Sequence, residues 1–281
     1  MSSISICTIY AKRKLHLQNL VESLNLSSMQ PYELIIVCMN DELPDLPETS
    51  FKIKTATLNT KDKRLPLAEA RNRAAASAEK ERLVFLDVDC ICHRDLVAIF
   101  NYHLEREDAL YQGSVRYLAS DWQKSNWTWK SLEAQSSFHS LQGKEVEEMQ
   151  KLVHPFELFW SLCFGINKKT FFSFGGFDPS FVGYGAEDTD FAFTARAHDI
   201  PFYKISAKAY HQYHPSYDPP LNHLEDIVNN AKNFYRKWQI MPMKKWLDRF
   251  SQMGYLKISD RDLEIVKYPT DKELVACLKS S

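Results

Sequence analysis

Short apolar runs alternate along this chain with longer segments whose apolar residues recur at helical spacing. That alternation predicts an α/β layer fold with parallel strands. Ile4 to Ile9 is the first run; a basic loop, Lys12-Arg13-Lys14, follows, and then a helix with Leu17, Leu20, Val21 and Leu24 on one face. Glu33 to Cys38 reads as the second strand and ends at Met39-Asn40-Asp41, which places polar residues at the carboxyl edge of the sheet, where open α/β folds bind ligands. An alanine-rich helix carrying Arg71, Asn72 and Arg73 is expected over Leu67 to Glu79, and a buried strand over Leu83 to Leu86. From Ala119 to Leu152 the pattern weakens and aromatic residues (Trp122, Trp127, Trp129, Phe138) are scattered among polar ones, so an excursion or flap is expected there. Regularity returns at Phe159 to Phe164. A helix is expected from Glu187 to Ala197, and helical patterning resumes after Pro219-Pro220 through Asn230, Phe234 and Trp238.

With 281 residues, 44% of them hydrophobic, the chain is long enough for one large domain with a C-terminal extension. Its 35 basic and 36 acidic residues leave a net charge of -1, without the basic excess that nucleic-acid binding requires. The N-terminal residues lack the basic start and apolar core of a signal peptide, and no apolar run is long enough to span a bilayer, so a cytoplasmic, non-spanning protein is expected. Six cysteines (7, 38, 90, 92, 163 and 277) form no CxxC pair and read as buried free thiols; Cys90-Ile91-Cys92 alone is a poor metal grip.

Gly175-Gly176-Phe177-Asp178 and the following Phe181 to Phe191 gather four of only eight glycines beside four acids. Glycine allows tight turns and close approach of a ligand, and a block of carboxylates among apolar residues must meet something cationic or protic. Acids in a first helical turn compensate the helix dipole and cap it, which accounts for Glu187 and Asp188 but not for the flanking glycines. A carboxylate presented at a glycine-lined cleft can take the proton of an attacking hydroxyl. Asp190 lies a step further round and is expected to be structural. Asp87-Val88-Asp89 ends an apolar strand; extended backbone would place both carboxylates on one side, as suits a hard divalent cation, although acids are also common as turns or caps after a strand. His211 and His214 follow another short strand, Ala207 to Tyr210, and either could complete the shell of a cation held by Asp89. Arg71, Arg73, Lys12 and Arg13 could pair with phosphates, and Asn40 and Asp41 with a nucleobase edge.

On these residues the chain resembles the GT-A glycosyltransferases, specifically family-2-like enzymes carrying a galactosyltransferase-type C-terminal motif. Asp87-Val88-Asp89, Ala70-Arg71-Asn72 and the block from Gly175 to Phe191 occur in that order, and Gly183-Tyr184-Gly185-Ala186-Glu187-Asp188 is similar to the Gly-(Tyr/Trp)-Gly-x-Glu-Asp signature of β-1,4-galactosyltransferases. The resemblance covers residues 3 to 250 and implies a Rossmann-like nucleotide-binding sheet with flanking helices. It divides the chain into a catalytic domain, 1–218, and a helical C-terminal extension, 219–281. Within the domain it implies a nucleotide-sugar half (1–118), a flap (119–152) and an acceptor half (153–218).

What the resemblance implies about chemistry is an inverting, divalent-metal-dependent transfer from a UDP-sugar of galactose or N-acetylhexosamine type to a hydroxyl of a glycan or glycolipid. Thr8, Tyr10, Arg13, Asn40, Asp41, Arg71, Asp87, Val88 and Asp89 would bind the nucleotide sugar. Asp89 with His211 and His214 would hold Mn²⁺ or Mg²⁺; where relatives have methionine at the earlier position this chain has histidine. Asp188 would be the general base, Glu187 would hydrogen-bond sugar hydroxyls, and Trp160, Gly176, Tyr184 and Gly185 would form the acceptor and sugar pocket.

Two other readings belong to different classes. A nucleotidyltransferase would need a glycine-rich phosphate loop after the first strand, and Cys7 to Arg13 contains no glycine. A non-catalytic carbohydrate-binding protein could keep the fold without turnover. The segment Met241 to Phe250 combines bulky apolar and charged residues; it could touch an anionic membrane carrying a lipid-linked acceptor, or pack Met243, Trp246, Leu247 and Phe250 on the core.

Overall fold

Every residue of β1 (Ile4–Tyr10) and β2 (Glu33–Met39) is buried, as befits strands covered on both faces. They come from a computed structural model describing residues 3–61, 64–142, 146–259 and 262–279. β1 pairs in parallel with β2 and with β4 (Arg82–Leu86), and β2 with β3 (Lys52–Leu58). Between β1 and β2, α1 (Lys14–Asn25) buries Leu17, Leu20, Val21 and Leu24, the stripe expected from i, i+3, i+4 and i+7 spacing. α2 (Leu67–Ser77) stops where Ala78 turns extended, two residues before the end expected from composition.

The second half of the sheet is mixed. β5 (Cys90–Cys92), α3 (Leu96–Arg106) and β6 (Leu110–Leu118) precede β7 (Ser136–Phe138), β8 (Lys151–Val153), β9 (Cys163–Asn167) and β10 (Phe202–His211). The strand order is β3-β2-β1-β4-β9-β6-β10-β5, with β7 added to β6 and β8 to β10. β9 runs antiparallel to both β4 and β6, which corrects the expectation of a wholly parallel sheet. It also starts at Cys163 rather than at Phe159, whose ring packs from the preceding loop into the core against Phe164 and Phe202. On one face of the sheet α1 and α3 pack; on the other, α2, α5 (Lys168–Ser173) and α6 (Glu187–Ala197) close over phenylalanines, with Phe85 stacked on Phe164 at 4.5 Å and Phe177 on Phe191 at 4.2 Å.

The segment expected as a flap is anchored. Residues 143–145 lie outside the described residues, but α4 (Trp129–Ala134) starts with a Thr128 capping box, and Trp122, Trp127 and Leu132 bury against Ile91 and Tyr210. After the sheet, α7 (Leu224–Trp238), α8 (Lys244–Gln252) and α9 (Asp271–Ala276) enclose a further core that includes Leu224, Ile227, Leu247, Phe250 and Tyr255. This extension is not purely helical: β11 (Leu256–Ile258) and β12 (Leu263–Ile265) form an antiparallel pair. The apolar side of α8 packs on this core, Leu247 and Phe250 fully buried and Met243 and Trp246 partly so. All six cysteines are free and buried, and no helix among the described residues is long and apolar enough to cross a bilayer.

Candidate active site

The two acids that end β4 sit in a tight turn rather than on extended backbone. The Cys90 N–H donates to the Asp87 carbonyl at 2.9 Å, the Asp87 N–H is taken by the Leu162 carbonyl, and the Asp89 carbonyl accepts from Gln212 at 2.7 Å. The turn sends the two carboxylates to different partners. Asp87 meets the Arg71 guanidinium at 3.3 Å; burial, with the neighbouring Asp89 charge, raises its pKa despite that contact.

Asp89 lies 4% exposed beneath the end of β10. His211 Nε2 is 3.4 Å from its Oδ1 and His214 Nε2 is 3.5 Å from its Oδ2, and one ligand atom from each of the three residues falls within 4.8 Å of the other two. β5 and β10 pair antiparallel with His211 opposite Cys90, which is how strand register brings the histidine beside the turn. Arg13, just before α1, also pairs with Asp89 Oδ2. Burial works against ionisation of Asp89, but the charges of His211, Arg13 and His214 outweigh it and hold the carboxyl below its ordinary range. The same burial lowers the pKa of both histidines, favouring the neutral imidazoles that coordinate metals. Oδ1 of Asp89 is buried without a hydrogen-bond partner. One carboxylate and two imidazoles, with an orphaned oxygen among them, fit a divalent cation. Both histidines reach the same carboxylate, so the arrangement does not force a choice between them.

Beyond the Arg71 guanidinium, which also reaches Glu187, α6 begins with Ala186 in the left-handed region (φ 67°), immediately after the Gly183 and Gly185 turn. Gly183 is needed on two counts: its φ is 77°, and a Cβ there would lie 2.3 Å from the Asp226 carboxylate. The loop is held from α7, where the Asn230 amide donates to the carbonyls of Val182 (3.1 Å), Tyr184 (3.4 Å) and Gly185 (2.9 Å), and Asp226 accepts from the Tyr184 N–H. The turn leads directly into Glu187 and Asp188, the first two residues of α6. Glu187 is buried, bound by Arg71 at 3.3 Å through Oε1, and its Oε2 has no partner. Asp188 is half-buried; its Oδ1 accepts the Thr189 N–H at 2.7 Å. Burial, then the Glu187 charge, push its pKa up to about 7. Arg71, 4% exposed and over the Phe177 ring, is thus an internal strut between the Asp87 turn and the α6 acids. Asp190 instead accepts from Lys237 at 2.9 Å and Trp238 at 2.7 Å, the structural placement expected of it.

The remaining expected site residues fall into three groups. Thr8 and Tyr10 are buried on β1, the Thr8 hydroxyl without a partner, while Asn40 and Asp41 stand at the end of β2, where Asp41 accepts the Lys12 N–H at 2.6 Å. Tyr184 is exposed and stacks on His223 at 4.6 Å, and Trp160 meets His139 edge-on at 4.8 Å. Val88 and Gly176 face inward: the Val88 side chain joins the core, and a Cβ on Gly176 would lie 2.6 Å from the Asn72 side chain. Gly185 likewise packs on Met243. The structure adds residues that patterning did not single out. His16, one turn into α1 and on the Arg13 side by i, i+3 spacing, bonds the Tyr213 carbonyl at 3.4 Å. Tyr117 and His139 line up rings between His211 and Trp160. Asn230, His223 and Trp246 reach the loop from beyond the sheet; helical spacing marked Asn230 and Trp246 as helix positions but not this contact.

Residues 3–234 match the family model described as glycosyltransferase like family 2. Two curated relatives, both named validoxylamine A glucosyltransferase, come from Streptomyces hygroscopicus subsp. jinggangensis (strain 5008) and subsp. limoneus. Each is 26% identical over 100 residues, which is 35% of this chain but only 24% and 22% of theirs, so the chain spans about a quarter of their length. The crystal structure of S. aureus TarS 1-349 superposes with a TM-score of 0.51 at 14% identity, covering 84% of this chain and 66% of that one, a likeness of fold.

Proposed function

Because the chain belongs to glycosyltransferase-like family 2, a GT-A fold family of sugar transferases, we propose that it is an inverting, divalent-metal-dependent enzyme. The donor is a UDP-sugar of galactose or N-acetylhexosamine type, and the acceptor a hydroxyl of a glycan or glycolipid. The observation that carries this reading is that one buried arginine, Arg71, ties the turn carrying Asp87 and Asp89 to Glu187, the neighbour of Asp188: Asp188 is half-buried with its pKa pushed up to about 7, and Asp89 stands with His211 and His214. The similarity of Gly183 to Asp188 to the galactosyltransferase signature supports the same donor class, and the relatives' name keeps glucose among the hexoses to assay.

In this reading the Asp188 carboxylate takes the proton of the acceptor hydroxyl as its oxygen attacks the anomeric carbon. The bond to the diphosphate breaks on the opposite side, its electron pair leaves on phosphate oxygen, and configuration inverts. Asp89, His211 and His214 would hold Mn²⁺ or Mg²⁺, which supplies positive charge against the leaving diphosphate. Glu187, with Oε2 unpaired, accepts from a sugar hydroxyl, and Arg71 fixes it in place. Thr8, Tyr10, Asn40 and Asp41 bind uridine at the strand ends. Tyr184 and Trp160 offer faces to the sugar. The test is nucleotide release from a panel of UDP-, GDP-, CMP- and ADP-sugars with Mn²⁺, with and without EDTA, beside Asp89→Ala. Metal-dependent hydrolysis of one UDP-sugar, lost in the variant, is expected; release that ignores both EDTA and the substitution would refute the metal assignment.

A further inference from the structure

Asp89 has to be paired with a cation in every state of the protein, because a carboxylate this buried is costly to leave alone. Its side chain is 6% exposed, whereas that of its partner Arg13 is 35% exposed, so one partner is fixed in the fold and the other can leave. The Arg13 guanidinium sits on Oδ2, the oxygen His214 also approaches, and therefore inside the ligand cluster. A cation bound by Asp89, His211 and His214 and this guanidinium compete for one carboxylate.

The surroundings of Arg13 say where it goes on release. It precedes α1, whose first turn carries no acidic residue, and its neighbour Lys12 has its N–H on Asp41. The first turn of α1 thus offers the guanidinium no carboxylate of its own, and both oxygens of the neighbouring Asp41 already accept N–H groups, from Lys12 and Glu42, while the N–H groups that begin a helix favour an anion. His16, the next residue on the same face, is already bound to the Tyr213 carbonyl.

Resting on the metal-dependent reading above, we infer that Arg13 is an exchangeable counter-ion: it neutralises Asp89 in the metal-free protein and transfers to the nucleotide diphosphate when the metal site fills. Arg13 suits this role because a guanidinium binds carboxylate and phosphate with the same planar fork. Two consequences follow by linkage. Divalent cation alone binds weakly, since Arg13 must leave Asp89 without a new partner. Nucleotide strengthens it by more than direct chelation would, since Arg13 then gains one, and cation strengthens nucleotide binding by the same factor.

The experiment is a Mn²⁺ titration read by the electron paramagnetic resonance signal of free Mn²⁺, with and without UDP, for the wild type, Arg13→Ala, Arg13→Lys and Asp89→Asn. Thermal unfolding of each variant serves as the folding control. Arg13→Ala is expected to bind Mn²⁺ alone about tenfold more tightly than the wild type and to show an affinity gain from UDP about tenfold smaller or less, the scale of one charge-assisted contact. Arg13→Lys, which keeps the charge without the fork, should fall between them. Equal Mn²⁺ affinities and equal UDP gains in wild type and both Arg13 variants would overturn the exchange while leaving the metal site standing. Wild-type Mn²⁺ binding that Asp89→Asn leaves unchanged would instead remove the metal site itself, and the exchange with it.

Discussion

If Asp188 is the base, its ionisation sets the acid side of the pH profile, and the structure says where. The group moves from 3.8 to about 7, chiefly by burial and then by the Glu187 charge. At pH 7 about half of the molecules carry the ionised base, at pH 6 roughly one-tenth and at pH 5 roughly one-hundredth, so kcat/KM should fall about tenfold per unit below 7. Replacing Glu187 by Gln removes the second cause and should move this limb to lower pH, whatever it does to the plateau. The stability effect has the opposite sense. Because the folded pKa is raised, the unfolded chain ionises first as pH rises through the window from 3.8 to about 7, and the native state loses stability across it. The shift corresponds to roughly 4 kcal/mol at most. Asp188→Asn should therefore lose turnover by about 10²-fold or more while its melting temperature at pH 8 rises above wild type. The assay is UDP release with a saturating acceptor from pH 5 to 9, paired with thermal melts at each pH. An acid limb near 4 that Glu187→Gln does not move, or near-normal transfer by Asp188→Asn, would refute the assignment.

Asn230→Ala removes the one amide that binds the Val182, Tyr184 and Gly185 carbonyls; a loss of about 2–4 kcal/mol, read by chemical denaturation, and a drop in kcat larger than any change in UDP affinity are expected. Arg71→Met leaves the half-buried Asp87 and the buried Glu187 without their common cation, which should cost about 3–5 kcal/mol at pH 8. Because the Asp87 pKa is already raised by burial and loses its cation in the variant, the deficit in melting temperature relative to wild type should shrink as pH falls to 5.

The parts of the fold that could be read from the chain are those where a single face decides the pattern. β1, β2, β4 and α1 each bury a run or stripe whose period is intact, so their positions follow from hydrophobicity alone, whereas α6 was marked by the acids and glycines at its start. β9 escaped because the direction of a strand buried on both faces leaves no trace in its composition, and the phenylalanine before it is buried from a loop. The flap looked irregular because its tryptophans pack on β10 and β5, partners distant in sequence. In the site, the acids and histidines were legible by type and spacing, whereas Arg71 is an arginine like many on helix faces until Asp87 and Glu187 are seen on either side of it. Asn230 and Trp246 could be placed on helices from spacing, but not on the loop, since Gly185 lies 45 residues before Asn230 and Tyr184 farther still before Trp246.

The clamp of Asn230 on the glycine loop also bears on how such a protein can be rebuilt. The loop has few side chains with which to define its own path, and its shape is imposed by a helix that follows the sheet in sequence. Transplanting Gly183 to Asp188 into another scaffold would carry over the acid without the template that aims it. A chimera exchanged at the end of β10 should inherit the path of its glycine loop from whichever parent donates α7, so recombination between homologues would keep the loop and α7 together as one cassette.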